Sequence, residues 1–120
     1  MLAGAGLALA ACGGGGGGGA SGGAPAGSTK VTMTEYKFDP STIKAKSGSV
    51  SFFLVNSGSV SHDMVVMSSD GSKTLGRSEL VQPGNSTVLT IDDLPAGSYK
   101  VICDQPGHAD QGMKGTITAS

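Results

Sequence analysis

Residues 103–113 read Cys103-Asp104-Gln105-Pro106-Gly107-His108-Ala109-Asp110-Gln111-Gly112-Met113. A cysteine, a histidine and a methionine follow one another in a C-x4-H-x4-M spacing. The residues leading into this stretch alternate. In an extended chain Tyr99, Val101 and Cys103 share one face, and two large core-type residues on that face direct the cysteine inward. Pro106-Gly107 turns the chain just past the cysteine, and Lys114–Ala119 is extended again. The stretch is therefore a loop between the last two strands, with a thiol, an imidazole and a thioether able to converge.

The rest of the chain has the same texture. Short segments rich in Val, Ile, Thr, Ser and Phe give candidate strands at Lys30–Tyr36, Ser41–Lys46, Ser49–Val55, Asp63–Ser68, Thr87–Asp92, Ser98–Ile102 and Gly115–Ala119. Turn signals separate them at Asp39-Pro40, Ser47-Gly48, Asn56-Ser57-Gly58, Asp70-Gly71, Pro83-Gly84-Asn85 and Pro95-Ala96-Gly97. Lys73–Leu80 is the least regular segment, with room for a helical turn. No helical period extends beyond a turn and no repeat is evident, so the expected class is an all-β sandwich. With no Trp and few aromatics, its core must be mostly Val, Ile, Leu, Met and Phe.

The chain holds two histidines. The one outside the loop is His62, straight after a Gly/Ser-rich segment and at the start of a strand. A thiolate, two imidazoles and a thioether form the soft donor set of a type 1 copper site, which accepts both Cu(I) and Cu(II). Zinc structural sites favour paired Cys or His ligands, and methionine suits zinc poorly. Each residue alone carries little weight: a lone histidine is usually a surface side chain, and methionine usually fills a core. The joint pattern makes His62, Cys103, His108 and Met113 the expected copper ligands. With all four positions filled, no coordination site is open to a substrate. No nucleophile–base pair or paired-acid motif accompanies them, so an enzyme is not expected and no catalytic residue is assigned.

Of the 120 residues, the first 28 do not read as a folded domain. Met1–Ala11 is apolar but too short to span a bilayer as a helix. Leu9-Ala10-Ala11-Cys12 resembles the bacterial lipobox, in which small residues precede a cysteine that is lipidated and becomes the new N-terminus. It departs from the usual leader in having no Lys or Arg ahead of the apolar run. Residues 13–28 begin with seven glycines and read as a flexible tether, with a reach on the order of 20 Å. The expected organisation is a signal segment, residues 1–12, a tether, 13–28, and a single domain, 29–120. No disulfide is expected between Cys12 and Cys103, since one lies in the leader and the other in the domain. The net charge of −1 and the absence of basic runs exclude a nucleic-acid partner.

With these residues in view, the domain resembles the cupredoxins, the group of plastocyanin, azurin and auracyanin, over roughly Lys30 to Ala119. The resemblance rests on residues 36–43 (Tyr-Lys-Phe-Asp-Pro-Ser-Thr-Ile), Val50–Asn56, Ser61-His62-Asp63-Met64, residues 94–99 and the run from Cys103 to Gly115. It implies a Greek-key β-sandwich of seven or eight strands with one copper ion at one end. It also implies one-electron transfer to redox partner proteins outside the cytoplasm, Met113 as the long axial ligand, and His108 as the ligand whose edge reaches the surface. The copy is expected to be a monomer held to a membrane through Cys12. A periplasmic copper-binding or delivery protein is the alternative on the same fold. The scattering of Met33, Met64 and Met67 and the presence of only two histidines favour the carrier. Near-neutral charge points to docking through an apolar patch around His108 and Ala109. One departure stands out: many relatives carry Asn after the first histidine ligand and Ser or Thr after the cysteine, where this chain has Asp63 and Asp104. If the two carboxylates face one another they repel, one is expected to hold a proton, and the reduction potential would then depend on pH in the acid range.

Overall fold

The computed structural model describes residues 24–120. The expected signal segment, Cys12 and most of the tether lie outside the described residues. Nine strands follow in order: β1 (Thr29–Thr34), β2 (Lys37–Asp39), β3 (Thr42–Ala45), β4 (Gly48–Asn56), β5 (Val65–Ser68), β6 (Thr74–Arg77), β7 (Ser86–Leu94), β8 (Gly97–Ile102) and β9 (Lys114–Ala119). Among the described residues there is no helix, and so none long and apolar enough to cross a membrane. One sheet has the order β2-β1-β4-β7 and the other β3-β9-β8-β5-β6. Both are mixed, because β1 runs parallel to β4 and β3 parallel to β9 while the remaining pairs are antiparallel. The fold is an all-β sandwich, as the sequence pattern requires.

Alternation sets the two faces. In β4, Val50, Phe52, Leu54 and Asn56 are buried while their neighbours are not; Val31 and Met33 in β1 and Leu89, Ile91 and Leu94 in β7 face the same way. Val66, Val101 and Ile117 come from the other sheet, and Cys103 joins them from the loop just past β8. One continuous core results. Each fully buried Leu, Phe or Met contributes about 1.5–3 kcal/mol from apolar surface removed from water. Tyr99 donates its hydroxyl to the Pro95 carbonyl oxygen, which ties down the turn from β7 to β8.

Nine strands are one or two more than the expected seven or eight; β2 and β6 are absent from the seven candidate segments, and each escapes a sequence reading for a physical reason. β2 is three residues long and pairs back on β1, Met33 opposite Phe38; only Phe38 is buried, which is too short a run to show a period. β6 lies where a helical turn had room. It is an edge strand with no buried residue, and its pairing with β5 shifts register between Val66 and Met67. Strand alternation is visible only where side chains fill a covered face, and the β6 residue that meets the other sheet is Gly76, beside Ile91 and Leu89, with no side chain of its own to show it.

The ends of β1, β4 and β8 and the starts of β5, β7 and β9 lie together, because β4 runs parallel to β1 and antiparallel to β7, and β8 runs antiparallel to β5 and β9. This gathers the β1–β2 turn, the β4–β5 loop, the β6–β7 loop and the β8–β9 loop at one end of the sandwich.

Candidate metal centre

The β8–β9 loop is built mainly from its own backbone. Cys103 N–H donates to the Met113 carbonyl oxygen at 3.1 Å, and Met113 N–H donates to that of His108 at 3.0 Å. Within the loop, His108 N–H reaches Gln105 O and Gly112 N–H reaches Ala109 O, both at 3.0 Å. Gly107 and Gly112 take φ of +79° and +114°, which a residue with a Cβ resists. These bonds turn the His108 ring back over Cys103. The cysteine and Met113 are buried, whereas His108 is half-buried.

His62 reaches the same point from the β4–β5 loop. It pairs with Val81 in an isolated bridge, the two backbones exchanging bonds of 3.1 and 2.8 Å. Asn56, buried at the end of β4, braces both flanking loops. Its Nδ2 donates to Val60 O and Val81 O at 2.8 Å each, and its Oδ1 accepts from Gly58 N–H. The His62 ring has no solvent exposure.

Three donor atoms converge. His62 Nδ1 and His108 Nδ1 are 3.2 Å apart. Cys103 Sγ lies 3.4 Å from the His108 nitrogen and 3.9 Å from that of His62. All three fall within 4.8 Å of one another, the one such group of three or more possible ligands among the described residues. Donors bound at about 2.0–2.3 Å from a shared centre sit about 3.2–3.9 Å apart around it, so the triangle is the right size for one metal ion. Two unprotonated nitrogens and a thiolate facing one another repel unless a cation lies between them. The softness of the set fits copper. Met113 is buried with the group, joined to His108 and Cys103 through the backbone. Phe38, Phe52, Met64 and Val101 belong to the same buried apolar cluster as Cys103 and Met113. Burial pushes the free Cys103 thiol up from its ordinary value, and the backbone N–H groups of Asp63 and Gln105 act in the opposite sense by favouring the thiolate.

Asp63 and Asp104 are brought together, but not as facing carboxylates. Asp63 Oδ1 accepts the Asp104 backbone N–H at 2.7 Å, which ties the two ligand loops. The Asp104 carboxylate turns instead to Arg77 on β6. The expected repulsion is relieved by a cation that the sequence does not place near it.

Glu35 was not expected at the site. It sits in the β1–β2 turn, where its Oε1 lies 2.9 Å from His62 Nε2. Both of its oxygens accept Ser59 N–H, at 3.0 and 2.9 Å. Its pKa is lowered, first by the His62 hydrogen bond and then by the Ser59 N–H. No local signal marks it, because the alternating pattern carries a strand straight through residues 30–36. Next to it, Tyr36 sets its ring edge against His108, centroids 4.9 Å apart at 66°.

The family model described as a cupredoxin-like domain matches residues 7–119. The chain belongs to the cupredoxin-like family. Solved cupredoxins share its fold at low identity. The dithionite-reduced auracyanin of the photosynthetic bacterium Roseiflexus castenholzii superposes with a TM-score of 0.68 at 18% identity, covering 76% of this chain and 94% of that one. Auracyanin A of Chloroflexus aurantiacus, a "blue" copper protein, gives 0.62 at 22%, with coverages of 76% and 99%. An azurin of Methylomonas sp. strain J gives 0.69 at 15%, with 80% and 99%. No curated protein sequence matches.

Proposed function

We propose that this cupredoxin carries single electrons through one type 1 copper ion held by His62, Cys103, His108 and Met113. The observation that carries the reading is the convergence of Cys103 Sγ and the two imidazole Nδ1 atoms on one shielded point. Copper supplies the Cu(I)/Cu(II) couple. The residues do the rest: the β-sandwich fixes His62 and Cys103 in the core, the closed loop fixes His108 and Met113, and the apolar packing keeps solvent away. Such a rigid cage leaves little to rearrange when the charge changes. His108 is the ligand nearest the surface and serves as the electron port, with Tyr36 and the half-buried Ala109 beside it. Val60 and Leu80, both exposed, flank the His62 loop at the same end and extend an apolar docking face for redox partner proteins. We place the domain outside the cytoplasm as a monomer, tethered to a membrane through lipidated Cys12 and residues 13–28.

The test is the visible and EPR spectrum of the copper-loaded full chain. An intense thiolate-to-copper band and fast, reversible one-electron reduction are expected. A colourless copper complex overturns the site. A blue protein that yields copper rapidly to chelators and exchanges electrons poorly overturns the carrier role in favour of copper delivery.

A further inference from the structure

A carboxylate on the far side of a buried ligand ring needs a cause. Glu35 is not simply resting on the surface, because the chain makes a slot for it. Ser59 N–H holds both oxygens. A Cβ built on Gly58 would fall 1.9 Å from Glu35 Oε1, so the glycine leaves the space the carboxylate fills. The third contact of the slot is His62 Nε2, at 2.9 Å. A carboxylate at that distance requires the proton on Nε2. The His62 Nδ1 lone pair is then bare, and it is this nitrogen that faces His108 Nδ1 and Cys103 Sγ.

From this geometry we infer that Glu35 is a positioning residue for the metal centre: it fixes the tautomer and angle of the His62 ring and biases a bound copper ion toward the oxidised state. The inference rests on the copper reading above. A carboxylate hydrogen-bonded to the outer nitrogen of a ligating imidazole makes the inner nitrogen a stronger donor and orients the ring. Its negative charge, one ring away from the ion, favours Cu(II) over Cu(I). Gly58 and Ser59 act through Glu35, holding the carboxylate in place.

Three variants of the full chain test it: Glu35→Gln, Glu35→Ala and Gly58→Ala. The last leaves Glu35 and all proposed ligands intact, and its new methyl meets the end of a flexible side chain, which swings out. In all three, metal affinity is expected to fall about 10–100-fold, the usual cost of losing such a partner. The Cu(II)/Cu(I) affinity ratio is expected to fall about tenfold, a reduction potential about 59 mV higher for a one-electron couple. In the metal-free chain, nitrogen NMR should find His62 protonated at Nε2 in the wild type and in both tautomers in Glu35→Ala. A Glu35 that only braces the loop would lower the thermal midpoint of Glu35→Ala and leave potential and tautomer unchanged, and that result overturns the inference. So does a wild-type His62 carrying its proton on Nδ1. A wild-type chain that is not blue sinks the copper reading instead, and the metal-free tautomer still decides what Glu35 does to His62.

Discussion

The two arms of the proposed metal centre are built in opposite ways. The β8–β9 arm supplies Cys103, His108 and Met113 from eleven consecutive residues and closes on itself through backbone bonds, Cys103 to Met113 and Met113 to His108. The β4–β5 arm supplies His62 alone, and its supports come from elsewhere: Val81 in the β6–β7 loop, Asn56 at the end of β4, and Glu35 in the β1–β2 turn. One arm is a local motif. The other exists only when the sheets have packed. A side chain anchored by distant partners couples the site to the fold, whereas one carried on a self-closed loop does not.

The largest expected effect removes the shared corner of both arms. Cys103→Ser should abolish the visible charge-transfer band, and copper affinity should drop at least about 100-fold, more than loss of an outer partner costs; absorbance and copper titration read both. Removing the two histidines should then separate the arms. In the metal-free chain, His62→Ala deletes a buried ring and strands Glu35, and should cost about 2–4 kcal/mol in denaturant unfolding. His108→Ala, half-exposed on the self-closed loop, should cost less than about 1 kcal/mol. Equal losses would break the contrast. Two glycines sharpen it next. A Cβ on Gly115, where the ligand loop enters β9, would lie 2.3 Å from the Ser41 carbonyl oxygen, a backbone atom that cannot swing aside. Gly115→Ala should destabilise by about 1–3 kcal/mol, while Gly58→Ala should spare stability and disturb the metal. The link between the arms comes fourth. Asp63→Ala leaves the Asp104 N–H without its acceptor and should cost about 1–2 kcal/mol in denaturant unfolding, clearly more than Arg77→Ala, which removes only an exposed ion pair.

The smallest effect lies away from both arms and provides a reference. Asp70 is held by Ser68 Oγ, Ser72 N–H and Ser72 Oγ, and its pKa is lowered to about 2, with the Ser72 N–H as the main cause. A depressed carboxylate stabilises the fold above its unfolded pKa, and that contribution disappears as pH falls through the folded value. The gap in thermal midpoint between wild type and Asp70→Asn should therefore be present at neutral pH and close as pH falls from about 4 to about 2. A gap that persists at the acid end would contradict this.

How much was legible follows the same division. Period-two alternation with turn residues marks strands wherever one face is buried, as in β4 and β8. It fails for β2, which is too short, and for β6, whose inward position is Gly76 and whose other residues are exposed. Cys103, His108 and Met113 announce themselves by spacing, and His62 by being the remaining histidine. Asp63 and Asp104 were recognisable as a departure, but their relation was not. A sequence shows two negative charges; the structure shows one carboxylate on a backbone N–H and the other on Arg77.

The chain's own order of residues therefore determined the β class and singled out the four side chains proposed as donors, because strand period and loop spacing are short-range properties. Tertiary structure alone decided that Glu35, Gly58 and Ser59 stand behind His62, that Arg77 answers Asp104, and that the two imidazole nitrogens point at one sulfur. Those relations join residues from separate strands and loops, and nothing in the covalent chain between them carries the information until the two sheets close on their core.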